Sequence, residues 1–287
     1  MPRRSFALFA FATASLLAGC QSVFFRTLNA GGRSSVAQRE IYDADRGLSL
    51  DVYRPAQASS PAPALVFFYG GSWRTGDRKD YAFVGRALAA RGVLTFVADY
   101  RKFPDGAFPR FEEDAATAAA WCLRHASEFG GDPQRVFIGG HSAGAHLAAL
   151  LATDAHYLDA HGLAPRDFAG AIGIAGPYDF LPLTDPKLVE VFGEQSQWPR
   201  SQPINFVDGD EPPFLLLQGT GDRIVDPRNA DSLAGRLRAA GVATSLKSYP
   251  GVGHFRILVA LRYPALAPTL ADVTAFIAAA PVPSPTR

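Results

Sequence analysis

Apolar residues along this chain fall into short unbroken runs, separated by longer stretches in which apolar and polar positions alternate at helical spacing. The runs 64–69, 94–98, 136–139, 170–175 and 214–218 are rich in Val, Ile, Leu and Phe and lack an apolar/polar alternation, which predicts strands buried on both faces. Between them, residues 80–91, 111–129, 143–151 and 231–240 read as helices, and a last one is predicted over 264–279. Gly92 stops the first of these, and Gly130-Gly131-Asp132-Pro133 stops the second. Residues 40–43 and 48–53, with Leu48, Leu50 and Val52 alternating, predict an opening antiparallel pair, and 243–249 a closing strand. Strand and helix in alternation, with fully apolar strands, imply an α/β architecture: a mostly parallel sheet of about eight strands with helices on both faces. One domain over 39–280 accounts for the pattern, with a frayed tail at 281–287.

The first twenty residues follow a different rule. Arg3 and Arg4 precede the apolar run 6–17, which ends in small residues, the layout of a secretory signal over 1–19 rather than of a membrane span. The junction Leu17-Ala18-Gly19-Cys20 resembles the bacterial lipoprotein cleavage box, in which the cysteine becomes the lipidated first residue. Two or three acyl chains at about 0.8 kcal/mol per buried methylene would hold such a protein firmly on a membrane. An ordinary cleaved signal with an incidental cysteine is the alternative. The resemblance, with Gln21 after the cysteine, implies a domain anchored in the bacterial cell envelope, at the outer rather than the inner membrane, facing periplasm or cell exterior. Residues 20–38, with Gly31-Gly32 and Ser34-Ser35, read as a tether.

Charge and cysteine content narrow the choice of partners. Lys and Arg number 28 against 27 Asp and Glu, without long runs of either sign, so no electrostatic footprint for nucleic acid is present. Cys122, the only cysteine besides Cys20, lies in an apolar helical stretch beside Trp121 and reads as a buried structural thiol. Neither a His-x-x-x-His nor a paired-cysteine spacing occurs, so no metal and no cofactor is expected.

In an open parallel sheet ligands bind beyond the carboxyl ends of the strands, and four such ends carry candidate groups. Residues 69–73 read Tyr-Gly-Gly-Ser-Trp, whose glycines let backbone amides approach a ligand. Gly140-His141-Ser142-Ala143-Gly144 is a Gly-x-Ser-x-Gly pentapeptide between a predicted strand and a predicted helix, the setting in which a serine hydroxyl is lifted clear of the sheet on a strained turn. Gly140 and Gly144 supply the room that turn needs, and Ser142 is the candidate nucleophile. Residues 219–222 read Gly-Thr-Gly-Asp, and 250–254 read Pro-Gly-Val-Gly-His.

With these motifs in this order, the chain resembles the α/β-hydrolases of the esterase and lipase superfamily, in particular small bacterial esterases allied with the hormone-sensitive-lipase-like, isoprenylcysteine-methylesterase-like and kynurenine-formamidase-like groups. The resemblance covers about residues 48–279. It implies the α/β-hydrolase fold with a small cap, and a serine hydrolase acting on small to medium carboxylic esters through an acyl-enzyme. By the family's pattern Ser142 is the nucleophile, His254 the base and Asp222 the acid, with Asp226 competing for the acid's place. The oxyanion hole would come from the amides of Ala143, Gly71 and Ser72. The family's oxyanion loop usually opens with His-Gly-Gly; here Tyr69 stands in place of that histidine, and its hydroxyl is expected to organise the loop. Tyr69, Gly70, Trp73 and His141 are expected at the substrate, and His141 and His146 as packing or pocket-wall residues.

The interval 176–213 is short and carries Tyr178, Phe180, Phe192, Trp198 and Phe206, which read as a small aromatic cap favouring short, accessible esters over long-chain lipids. The partners implied are a small-molecule ester and a lipid anchor, with the oligomeric state open. An amide or formamide hydrolase with the same three residues remains an alternative, as does a non-catalytic envelope binding protein on the same fold.

Overall fold

The computed structural model describes residues 23–30, 38–56 and 61–279. The expected signal at 1–19, the lipidation site Cys20 and the tail 281–287 lie outside the described residues. Among the described residues eight strands form one sheet: β1 (Gln38–Asp43), β2 (Leu48–Tyr53), β3 (Ala62–Phe68), β4 (Leu94–Ala98), β5 (Gly131–His141), β6 (Gly170–Ile174), β7 (Phe214–Gly219) and β8 (Thr244–Tyr249). The helices are α1 (23–29), α2 (Ala82–Ala89), α3 (Arg110–His125), α4 (Ala143–Thr153), α5 (His156–Asp159), α6 (Pro186–Phe192), α7 (Arg228–Ala239), α8 (His254–Val259) and α9 (Thr269–Ala279).

The strand order is β1-β2-β4-β3-β5-β6-β7-β8. β2 runs antiparallel to β1 and β4, and every pair from β4 to β8 is parallel. This is the α/β-hydrolase fold. From β3 the chain goes first to β4 on one side and then to β5 on the other. The crevice between the ends of β3 and β5 is therefore the topological switch point at which such sheets bind ligands. Phe68 sits opposite Gly140 in that register, so the loops leaving both strands start level with each other.

Burial follows the patterning. All residues of β4, β6 and β7 are buried, whereas the edge strand β8 alternates and exposes Lys247, a charge that discourages pairing with another chain. All eleven residues of α4 are buried, because Ala and Gly let this helix lie against the sheet.

Part of the expected tether departs from expectation. Residues 23–29 form α1, with Phe25 and Leu28 at 3% and 5% exposure in the core. Two apolar residues three apart make a stripe that packs, where a uniformly polar linker would have stayed in water. Asn29 completes the attachment by donating through Nδ2 to the carbonyls of Lys79 and Asp80, both at 3.0 Å.

Candidate active site

Ser142 sits between β5 and α4 at φ 56°, ψ −122°, a region L-residues with a Cβ normally avoid. Its neighbours explain how the strain is tolerated. A Cβ on Gly144 would lie 2.0 Å from the carbonyl oxygen of Phe68, and one on Gly140 would lie 2.3 Å from the Gly144 backbone. Strand, turn and helix thus meet at backbone distance, and only glycine fits at both positions. The Ser142 amide donates to the Ile174 carbonyl at 2.9 Å, tying the turn to the end of β6.

The loop after β3 lies against this turn: a Cβ on Gly70 would be 2.9 Å from the Ser142 Cβ. Gly71, Ser72 and Trp73 all have positive φ, at 139°, 52° and 56°, and the loop closes through the amides of Arg74 and Thr75 onto the Gly71 carbonyl at 3.0 Å each. The amides of Ser72 and Ala143 find no acceptor among the described residues, while both residues line the cleft. Two unpaired N–H groups at the mouth of a strained turn are donors ready for an anionic oxygen.

Tyr69, expected to organise this loop through its hydroxyl, bonds residues outside the loop. Its hydroxyl donates to Asp99 Oδ1 and accepts from Lys102 Nζ, both at 3.0 Å, and its ring is fully buried against Tyr100. The amide of Gly70 is held by Tyr81, a residue the sequence reading did not single out, whose hydroxyl accepts it at 3.1 Å and lies 3.4 Å from His141 Nδ1. His141 Nε2 faces the His254 carbonyl at 3.1 Å and must donate, since a carbonyl cannot. Nδ1 is then the acceptor of the Tyr81 proton. Burial, and next the nearby His254 charge, lower the His141 pKa to about 3, so the ring stays neutral. Tyr69, Gly70 and His141, expected against substrate, are buried and engaged with protein groups, and like Gly71, Asp222 and His254 they are not among the residues that line the cleft.

On the other side, the loops after β7 and β8 are laced together. The amides of Thr220 and Gly221 donate to Tyr249 and Val252 carbonyls at 3.0 Å, and Gly251 donates to Thr220 Oγ1 at 3.0 Å. A Cβ on Gly219 would lie 2.0 Å from the Val252 carbonyl oxygen and one on Gly221 3.0 Å from that of Gly251, so close approach explains the glycines of Gly-Thr-Gly, whereas Gly251 has open space and a φ of 69°. The lacing brings Asp222 to His254, the first residue of α8, with Oδ2 2.8 Å from Nδ1. Asp222 Oδ1 accepts from the amides of Ile224 and Val225 at 2.9 and 3.0 Å, and Gln218 Nε2 reaches Oδ2 at 3.3 Å. Burial pushes the Asp222 carboxyl up, but the His254 hydrogen bond and charge and the two amides outweigh it and hold the group below its ordinary value. Asp226, the competing carboxylate, is exposed and paired with Arg228 at 2.6 Å. The structure therefore joins His254 to Asp222 and not to Asp226. The Ser142 hydroxyl makes no hydrogen bond among the described residues, and the His254 ring stands 4.7 Å, centroid to centroid, from that of the adjoining His141.

Ser72, Trp73, Ser142 and Ala143 form the floor of a cleft of about 690 Å³, walled by Phe180, Leu181, Leu188, Ile224 and Val225 and edged by Asp179, Asp226 and Arg228. Of the expected cap aromatics only Phe180 lines it; Tyr178 and Phe192 are buried core. Trp73 stacks on Phe180 at 6.1 Å and meets Phe192 and His146 edge-on at 4.8 and 5.1 Å. His146 Nε2 donates to the Ser201 carbonyl at 2.7 Å, fastening the cap segment to α4, and burial lowers its pKa to about 4. Cys122 is buried, as expected. Among the described residues no group of His, Cys, Asp and Glu is arranged to hold a metal.

Comparison with known proteins agrees with this architecture. The profile of the BD-FAE family matches residues 50–237. Esterase LipC of Mycobacterium tuberculosis is 33% identical over 76% of this chain and 59% of its own length. A probable isoprenylcysteine alpha-carbonyl methylesterase of Arabidopsis thaliana is 27% identical over 77% of this chain and 51% of its own. The chain thus spans between half and three-fifths of the length of these relatives. Among solved structures, the butyrate-bound Est2 esterase of Thermogutta terrifontis superposes with a TM-score of 0.70 at 26% identity, covering 88% of this chain and 96% of that one. The fold, the strained serine turn and the extent of the profile match lead to one statement: the chain belongs to the BD-FAE family of α/β-hydrolases.

Proposed function

We propose that the protein is a serine hydrolase that cleaves small to medium carboxylic esters, with Ser142 as nucleophile, His254 as base and Asp222 as the group that orients it. The observation that carries this reading is the 2.8 Å bond between His254 Nδ1 and Asp222, a carboxylate that also accepts from the amides of Ile224 and Val225, which line the same cleft as Ser142 on its strained turn. A carboxylate can only accept, so His254 Nδ1 bears the proton and Nε2 presents its lone pair. A serine hydroxyl is hardly ionised at neutral pH and attacks only as a base removes its proton. His254 Nε2 takes that proton while Ser142 Oγ adds to the ester carbonyl, and returns it to the leaving alcohol. Water then repeats the cycle on the acyl-enzyme. The unpaired amides of Ala143 and Ser72, with that of Gly71, receive the oxyanion, at about 3 to 4 kcal/mol for each such donor. Catalytic hydrogen bonds are often open until substrate arrives, which suits a Ser142 hydroxyl without a partner.

Similar proteins named as esterases, and a neighbour with bound butyrate, support esters as the substrate class. The cleft volume is in the range that takes a small-molecule ligand. We further propose that Cys20 carries lipid and holds the domain in the bacterial envelope, on the strength of the Leu17-Ala18-Gly19-Cys20 box. A fluorophosphonate probe tests the chemistry. The wild type is expected to be labelled and Ser142→Ala not, with p-nitrophenyl acetate turnover reduced by roughly 10⁴ to 10⁶. Unchanged turnover in Ser142→Ala would remove that residue from the mechanism.

A further inference from the structure

Large apolar side chains that remain exposed are few, and they are not scattered. Eight occur among the described residues: two of them line the cleft, and three gather where α1 meets the start of α8, whose first residue His254 is bonded to Asp222, the acceptor of the Ile224 amide. Leu181 and Ile224 line the cleft, Ile224 being 60% exposed. Phe255, 46% exposed, directly follows His254 on α8. Phe24 of α1 packs on Phe255 with ring centroids 6.2 Å apart, and Val23 precedes it at 62% exposure.

The placement of α1 gives this patch a direction. Phe25 packs on Tyr81 at 5.3 Å, Leu28 is buried, and the Asn29 carbonyl accepts from Arg86 at 2.9 Å, so the helix is fastened along its length. Its first described residue, Val23, lies three residues from Cys20, a span of at most about 10 Å. Whatever holds Cys20 therefore lies within one short step of the apolar rim. The cations are placed to match: Arg26 on α1, Arg256 on α8 and Arg223 beside Ile224 are all exposed.

We propose that this face, built from α1, the start of α8 and Ile224, docks on the lipid surface that carries the Cys20 anchor and turns the cleft mouth toward the bilayer. It rests on the lipid attachment proposed above. Exposed aromatic and aliphatic side chains flanked by arginines suit a membrane interface with anionic headgroups. A fastened α1 replaces a free tether, so the domain stands in one orientation instead of tumbling. Esters dissolved in the membrane would then reach Ser142 without crossing bulk water.

The test uses the full lipid-bearing chain in vesicles of phosphatidylcholine with about one phosphatidylglycerol in four, made with or without brominated acyl chains. Phe255→Trp reports the docking face, and Ile41→Trp reports β1, at the opposite edge of the sheet, where Ile41 is 60% exposed. Each spectrum is read against the wild type. Docking predicts that the added fluorescence of Phe255→Trp falls about two-fold or more with brominated lipid while that of Ile41→Trp does not change. Adding Val23→Glu and Phe24→Glu to Phe255→Trp should abolish that quenching with the chain still floating on the vesicles. Flotation without quenching of Phe255→Trp, or equal quenching at both positions, overturns the docking face and leaves the anchor standing. A chain that fails to float overturns anchor and face together. Turnover of soluble p-nitrophenyl acetate in the same samples reads the proposed chemistry separately.

Discussion

The two sides of the cleft are built on different principles. On the Ser142 side the backbone itself is the device: glycines at 140 and 144 let strand, loop and helix meet at atomic contact, and positive φ angles at Ser72, Trp73 and Ser142 are trapped there. On the His254 side the loops are joined by hydrogen bonds, and Asp222 holds His254 through one side-chain pair. The first construction resists any added atom. The second resists loss of a single partner. A hydrolase needs both, because oxyanion donors must not move, whereas the base must pass a proton and reorient slightly during each turnover.

The comparison breaks most sharply at the carboxylates. Asp222→Asn is expected to lower kcat by roughly 10⁴, because an amide facing His254 Nδ1 favours the wrong tautomer. Asp226→Asn, on the exposed Arg228 pair, should stay within about two-fold, since surface ion pairs contribute little. Steady-state kinetics on one soluble ester reads both, and a larger loss in Asp226→Asn would reverse the assignment. Stability probes the backbone side. Gly144→Ala must push a methyl into the Phe68 carbonyl and should cost about 3 kcal/mol or more in urea unfolding. Gly251→Ala, at φ 69° with open space around it, should cost only about 1 to 2 kcal/mol for the left-handed backbone.

Acid sharpens the same contrast. Folded pKa values of about 3 for His141 and about 4 for His146 lie below the ordinary 6.5, so the unfolded chain binds protons first. Their stabilising effect is complete above pH 6.5 and declines as pH falls toward those folded values. Between pH 7.5 and 5, unfolding free energy should drop by about 2 kcal/mol per histidine, and His146→Gln should remove one share of that slope. A smaller loss than at Asp222 is expected at Tyr81. Tyr81→Phe leaves the Gly70 amide without its acceptor and should lower kcat about ten-fold with KM nearly unchanged.

The sheet was legible because its strands are buried on both faces. Residues 94–98 and 170–175 predict β4 and β6 to within a residue, for an uninterrupted apolar run has few other uses inside an α/β domain. Short elements were not legible. α8 was missed because its six residues follow a glycine-rich loop and carry no helical period long enough to see. The tether was drawn too long, since Phe24, Phe25 and Leu28 signal a packed stripe only if a matching surface exists, and that surface is made by Tyr81 and residues beyond it. Tyr81 itself lies in a predicted helix start and looks like any core aromatic until Gly70 and His141 are brought to it.

By itself the sequence determined the order of the strands and the long helices, the glycines at the serine turn, and the histidine and pair of aspartates available to it, because periodicity and steric need are local properties. Tertiary structure decided which carboxylate meets His254, which tyrosine holds the Gly70 amide, and where α1 comes to rest. Those choices join residues 32, 11 and 56 positions apart, as Asp222 to His254, Gly70 to Tyr81 and Phe25 to Tyr81 show. Contacts at such separations depend on how the loops fold over the sheet's edge, which no local pattern encodes.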